Sequence, residues 1–279
     1  MPKQSRKVRV PDLLKMKRSA QKITMLTAYD ASMASIMDGA GIDILLVGDS
    51  LGMVVLGDDT TVGVTLDMMV HHCRAVARGV SRALVVADMP FLTYYSAADA
   101  IRNAGRLMQE GRAAAVKLEG GTASADVVRA LTDAGIPVMG HLGLLPQQVH
   151  QLGGFRAVGR NHEEAEQLIA DAHALESAGA FSLVLESIPA ELARRVTSGV
   201  AIPTIGIGAG PHCDGQVLVS YDAFGLFQGS IPRFVKQYAN LGAIMAEAAR
   251  AYIEDVRGGA FPAVEHSVAT GSTGVTAAE

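Results

Sequence analysis

The run Asp43-Ile44-Leu45-Leu46-Val47-Gly48-Asp49-Ser50-Leu51-Gly52 constrains this chain more than any other stretch. Four consecutive apolar residues are too few for a buried helix, and with a glycine beyond them they read as a strand covered on both faces. Asp49 and Ser50 then stand at its carboxyl end, where a parallel α/β fold presents groups to a ligand. The pattern recurs. Ala83 to Ala87 leads into Asp88, and Ala113 to Leu118 carries Lys117 and leads into Glu119, Gly120 and Gly121. Consecutive strands of one barrel bring Asp49, Asp88 and Glu119 to one rim. Three hard oxygen donors on a rim make a divalent-cation site, with Mg²⁺ the expected ion.

Four more strand signals lie at Ile23 to Ala28, Ile136 to Gly143, Phe181 to Glu186 and Pro203 to Gly208, and an eighth is drawn from Gln216 to Val219 with Tyr221 to Phe224. Helical segments alternate with them, which favours a single closed (β/α)8 TIM barrel over an open doubly wound sheet. The 279 residues suit one barrel of ~250 without a linker. Val10 to Lys17, with Pro11 in its first turn, is predicted as a short helix plugging the amino-terminal mouth. A last helix is placed over Val235 to Val256. The predicted organisation is an N-terminal segment 1–22, a barrel 23–257 and a flexible tail 258–279 of small residues without periodicity.

Composition excludes several classes of function. A net charge of −4 offers no basic footprint for nucleic acid. Cys73 and Cys213 stand far apart, with no ligand spacing beside either, so neither a disulfide framework nor a zinc ribbon is expected. The basic stretch Met1 to Val10 has no apolar run behind it, and no later run is long enough to span a bilayer. A cytoplasmic protein with no membrane partner is the expectation.

Each rim acid taken alone reads equally well as a cap for the next helix. Gathered together, they repel one another unless a cation or Lys117 neutralises them. Lys117 lies two residues before Glu119, so the two share a strand face. It is either an internal ion-pair lysine or a cation for a substrate carboxylate or oxyanion. Glu186 ends an apolar strand, where partial burial would raise its pKa as a general base requires; its plainer reading is a capping acid. His141, among glycines at the end of strand five, is either a contact to a polar ligand or metal shell, or a satisfied core histidine. Gly206-Ile207-Gly208-Ala209-Gly210 has the look of a phosphate loop, though a tight strand-to-helix turn explains it as well.

Taken in order, Asp49-Ser50-Leu51-Gly52-Met53, Asp88-Met89-Pro90-Phe91, Val116-Lys117-Leu118-Glu119-Gly120-Gly121, Gly140-His141-Leu142-Gly143-Leu144, Leu185-Glu186-Ser187-Ile188-Pro189, Ile205 to Gly210 and Asp222-Ala223-Phe224-Gly225 resemble the motif series of the ketopantoate hydroxymethyltransferase family. The resemblance runs from about Ile23 to Gly229. It implies transfer of a hydroxymethyl group from 5,10-methylenetetrahydrofolate, the one-carbon co-substrate, to a 2-oxo acid, 3-methyl-2-oxobutanoate, giving 2-dehydropantoate in the first committed step of pantothenate synthesis. It also implies Asp49, Asp88 and Glu119 around Mg²⁺; Asp49, Ser50, Asp88 and Lys117 on the 2-oxo acid; Glu186 as proton acceptor; and a homodecamer. Ser187, where some members carry cysteine, departs from the pattern without touching this chemistry. The competing expectations are a Mg²⁺-dependent 2-oxo-acid lyase of the phosphoenolpyruvate/pyruvate barrel superfamily and a barrel that binds without turnover.

Overall fold

A computed structural model describes residues 6–268. Eight parallel strands close into a barrel in sequence order. The order is α1 (Val10–Arg18), β1 (Ile23–Thr27), α2 (Ala31–Ala40), β2 (Ile44–Val47), α3 (Leu66–Gly79), β3 (Leu84–Asp88), α4 (Ala97–Gln109), β4 (Ala115–Glu119), α5 (Ala125–Asp133), β5 (Val138–Gly143), a short α6 (Val149–Leu152), α7 (His162–Ser177), β6 (Ser182–Glu186), α8 (Ala190–Gly199), β7 (Thr204–Ile207), β8 (Gly215–Leu218), α9 (Ser220–Ala223) and α10 (Leu241–Gly258). Every neighbouring pair is parallel, and β8 returns to β1 through the register Ile23↔Gly215 to Leu26↔Leu218. The TIM-barrel expectation holds.

Strand alternation divides the core in two. Inward residues at the amino-terminal half of the barrel, among them Ile23, Met25, Ile44, Leu46, Leu84, Val86, Met139, Val184, Ile205 and Val217, form one aliphatic cluster. Val8, Leu13 and Met16 join the same cluster, so α1 does plug that mouth. Lys17 fastens it by donating to the carbonyls of Thr197 and Ile202 and pairing with Asp214 at 3.0 Å. Outward residues such as Leu45, Val85, Leu118 and Leu183 pack in a second cluster against Met69, Val76, Leu107, Leu131 and Leu175 of the surrounding helices. With the lower interior filled by hydrocarbon, the carboxyl-terminal ends of the strands are left for polar side chains.

Two predicted elements change, the end of the eighth strand and the start of the last helix. Tyr221 to Phe224 is no strand: β8 stops at Leu218 and the chain turns at once into α9, where the Ala223 and Phe224 N–H groups donate helical-turn hydrogen bonds to the Val219 and Ser220 carbonyls. The long segment after β2 opens with a π-helical turn, Gly52–Leu56, ended by Gly57 at positive φ. The last helix begins later than Val235, at Leu241, because Asn240 supplies the side-chain cap to Ala243. That helix buries none of its residues and leaves Ile244, Met245, Tyr252 and Val256 exposed. An apolar groove of about 960 Å³ lies over the β8–β1 seam, with Thr24, Leu26, Leu218, Phe224, Phe234 and Tyr238 on its walls. Of the tail predicted from 258, residues 269–279 lie outside the described residues. No described helix is long and apolar enough to cross a membrane.

The plug can be tested by cavity formation. Leu13 is wholly buried, so Leu13→Ala should lower unfolding free energy in urea by about 2–5 kcal/mol. Ile36→Ala, at a 73% exposed position, should change it by less than about 0.5 kcal/mol.

Candidate active site

Barrel register assembles the upper interior. Asp88 on β3 is paired in register with Lys117 on β4, and Glu119, two residues on, is paired with His141 on β5. Gly143 is likewise paired with Glu186 on β6. Side chains from adjacent strands at one level meet directly. Lys117 Nζ lies 2.7 Å from Asp88 Oδ1 and 3.3 Å from His141 Nδ1. His141 Nε2 is 3.1 Å from Glu186 Oε2, and its Nδ1 is 3.7 Å from Glu119 Oε1. An ammonium can only donate, so Nδ1 accepts from Lys117 and the ring proton sits on Nε2, facing Glu186. His141 therefore stands between the lysine, from which it accepts, and the glutamate, which its Nε2 approaches without an aligned hydrogen bond.

Asp49 and Ser50 follow β2 on the same rim. The Asp49 amide donates to Asp88 Oδ2 at 3.0 Å. Gly48 makes that approach possible, since a Cβ there would stand 2.8 Å from Ser50 Oγ and 3.4 Å from Asp88 Oδ2. The Ser50 hydroxyl meets the wholly buried Tyr29 hydroxyl at 2.9 Å. Gly143, at positive φ, presses against the Glu186 carbonyl, 2.2 Å from where a Cβ would lie, so β6 is drawn tight against β5 below the glutamate.

Sequence reasoning missed two members of this set. Gln147, in the turn after β5, donates its amide nitrogen to Asp49 Oδ2 at 2.8 Å and to the Met89 carbonyl at 3.0 Å, while its backbone N–H donates to Glu119 Oε2 at 3.1 Å. The Tyr94 hydroxyl donates to Gln147 Oε1 at 2.6 Å. The only signal was a polar residue directly behind Pro146, just past a strand end that already carried His141. Gly206, Gly208 and Gly210 turn out to be filled by the chain itself: Cys213, Phe234 and Ala190 occupy the space a Cβ would take. The tight-turn reading of that loop prevails over a phosphate cradle.

Burial and crowding set the protonation of the rim. Burial, then the Asp88 charge, raises the Asp49 carboxyl, and burial with the Asp49 charge raises Glu119 well above the carboxylate range. Burial pushes Glu186 up to about 7, with Lys117 opposing. Burial also works against the Lys117 ammonium, yet Asp88, Asp49 and Glu119 outweigh it and keep the lysine charged. His141 is held neutral by burial and by the lysine beside it.

Among the described residues, no group of three His, Cys, Asp or Glu side chains already stands close enough to hold a metal ion. The donors nevertheless suit a hard cation. All three are carboxylates; Asp88 Oδ1 is buried without an aligned hydrogen bond, and burial, then repulsion from the neighbouring acids, holds Asp49 and Glu119 back from ionising. Mg²⁺ keeps several waters and takes only one or two carboxylates directly, so tight convergence of three is not required.

The sequence profile of the ketopantoate hydroxymethyltransferase family matches residues 7–264. The chain belongs to this family. It is 58% identical over 265 residues to the 3-methyl-2-oxobutanoate hydroxymethyltransferase of Moorella thermoacetica, covering 95% of this chain and 98% of the relative. The enzyme of the same name from Thermoanaerobacter sp. (strain X514) is 55% identical over 262 residues, covering 94% and 96%. In fold the chain is similar to phosphonopyruvate hydrolase, a structure solved with oxalate and Mg²⁺, at a TM-score of 0.61, 14% identity and 93% coverage of each chain.

The raised carboxyls predict how stability depends on pH. In metal-free protein, Glu186 and its neighbours on the rim hold protons that an unfolded chain has already released, so the folded state binds more protons between the ordinary carboxylate range and about 7. Stability is then greatest on the acid side and falls as pH rises through that interval. His141, neutral when folded, pulls the other way below its ordinary value, but one imidazole opposes three carboxyls. In EDTA the melting temperature should be higher near about pH 5 than near about pH 8, and Glu186→Gln should flatten the slope. A slope unchanged by Glu186→Gln would remove the raised carboxyl from the account.

Proposed function

We propose that the barrel mouth catalyses hydroxymethyl transfer from 5,10-methylenetetrahydrofolate to 3-methyl-2-oxobutanoate. The observation that carries this reading is Glu186: a carboxyl raised to about 7, only 16% exposed, whose Oε2 stands 3.1 Å from the His141 ring that accepts from Lys117, on a rim with three further acids. That pairing suits removal of a proton from carbon next to a keto group, because a base with a pKa near ambient pH takes the proton without being permanently protonated.

Asp49, Asp88 and Glu119 would hold Mg²⁺, which when bound supplies Lewis-acid stabilisation to the charge that develops on the keto oxygen. Ser50, oriented by Tyr29, and Lys117 would contact the 2-oxo acid, the lysine offsetting its carboxylate. Glu186 takes the C3 proton and the electron pair of that C–H bond forms the new C–C bond to the methylene carbon; both C–N bonds that tie this carbon to the folate break, water supplies the hydroxyl group, and the C3 proton and the second proton of water go to the two folate nitrogens. The products are 2-dehydropantoate and tetrahydrofolate. The aliphatic lower barrel, sealed by α1, excludes water from beneath the site.

The exposed apolar stripe of α10 supports self-association, in keeping with the decamer implied by the family resemblance. Met245 and Tyr252, seven residues apart, share one face of a helix that buries nothing in its own subunit. Both cysteines are buried and unpaired, which suits the reducing cytoplasm.

Incubation with Mg²⁺, 3-methyl-2-oxobutanoate and 5,10-methylenetetrahydrofolate should yield 2-dehydropantoate, and EDTA should stop it. No product, with C–C cleavage of a substituted malate instead, would transfer the assignment to the lyases. Glu186→Gln should abolish exchange of the C3 proton into deuterated water while leaving the Mg²⁺ dissociation constant within about twofold; persistent exchange would rule Glu186 out as the base. Met245→Glu with Tyr252→Glu should lower the sedimenting mass while the far-ultraviolet spectrum stays unchanged, and an unaltered mass would clear α10 of any part in assembly.

A further inference from the structure

We infer that Gln147 is a positioning residue that makes seating of the β5–α7 loop and loading of the metal site one event. Gln147 is itself 4% exposed, and every hydrogen-bonding group of its side chain is engaged. Its amide nitrogen has two hydrogens, one given to Asp49 Oδ2 and one to the Met89 carbonyl. The Met89 carbonyl can only accept, which sets the amide nitrogen towards it and Asp49 and leaves the amide oxygen to accept from the Tyr94 hydroxyl.

The backbone of the same residue reaches the other side of the rim, donating to Glu119 Oε2. One residue on a loop thus fixes one oxygen of an acid from β2 and one oxygen of an acid from β4. The opposite oxygens, Asp49 Oδ1 and Glu119 Oε1, take no hydrogen bond from Gln147, and Glu119 Oε1 stands 3.7 Å from His141 Nδ1. Hydrogen bonds of this kind orient carboxylates for a cation, and losing one commonly weakens metal binding ~10–100-fold. The turn Pro146–Gln148 that carries Gln147 starts the segment that runs through α6 and Gly153 to α7, so a cation that needs the two acids so oriented also favours the seated loop. By linkage the coupling is reciprocal. The inference rests on the proposed Mg²⁺ site.

The test titrates metal-free enzyme with MgCl₂ by calorimetry in wild type, Gln147→Met and Tyr94→Phe. Gln147→Met keeps the volume and the backbone N–H but removes the side-chain amide, whereas Tyr94→Phe keeps the ring and removes only the hydroxyl that orients it. Mg²⁺ affinity should fall about tenfold or more in Gln147→Met and about threefold in Tyr94→Phe. The metal-free melting temperature should move by no more than about 2 °C in Tyr94→Phe, which separates positioning from a purely structural role. Hydrogen exchange over residues 145–154 should slow on adding MgCl₂ to wild type and respond less in both variants. Should Gln147→Met fail to fold, Tyr94→Phe decides alone. Wild-type affinity in Tyr94→Phe and in any folded Gln147→Met, with wild-type enzyme binding Mg²⁺, would overturn the inference and leave the metal site standing. Absence of Mg²⁺ binding by the wild-type enzyme would overturn both.

Discussion

One lysine ammonium buried among carboxylates is the constraint on which the upper barrel depends. Lys117 cannot leave for solvent, because β4 aims it inward and its side chain is almost fully enclosed. A buried charge of this kind is tolerated only when paired, and Asp88 pairs it in register from the next strand. Asp49 and Glu119 then exceed what one cation can neutralise. The surplus negative charge is what the proposed divalent ion would neutralise, and without one burial and crowding raise these carboxyls above their ordinary range. Structure and chemistry are here the same balance, since a rim content without further cation would have no call on one.

The electrostatics also explain the asymmetry between the rim acids and Glu186. All are carboxyls at strand ends, yet Asp49 and Asp88 lie beside one another while Glu186 has a neutral imidazole 3.1 Å away. His141 therefore occupies the position between two kinds of carboxyl chemistry, the one suited to binding and the other to moving a proton. Its tautomer is dictated by Lys117 on the adjacent strand β4, so the lysine acts on the side of the ring that faces the glutamate, two strands away, without touching it.

How much of this could be read beforehand depended on distance along the chain. The strands were legible because a two-sided buried strand is a short apolar run, and Ile44 to Val47 or Leu183 to Leu185 has no other stable reading. Lys117 and Glu119 were placed on one face by strand periodicity alone, and their interior contacts follow from it. Tyr221 to Phe224 deceived because aromatic and β-favouring residues carry strand propensity, whereas the backbone there is committed to a tight helical turn by Val219. Gln147 and Tyr94 were illegible for a different reason. Their importance lies entirely in contacts with strands 28 to 98 residues away, set by how two loops fold over the rim, and neither residue type signals such a role. The late start of α10 is a matter of which asparagine caps, which periodicity does not resolve.

The closure of β8 onto β1 has a consequence for how the polypeptide comes to exist. The first strand to be synthesised must wait for the last before its outer edge is paired, and nearly the whole barrel lies between them. During that wait a nascent chain exposes two open sheet edges, which are templates for wrong pairing. A ribosome stalled before Gly215 would therefore release a product with an almost complete set of staves and no hoop, a species destined for chaperones or aggregation rather than for slow, partial activity.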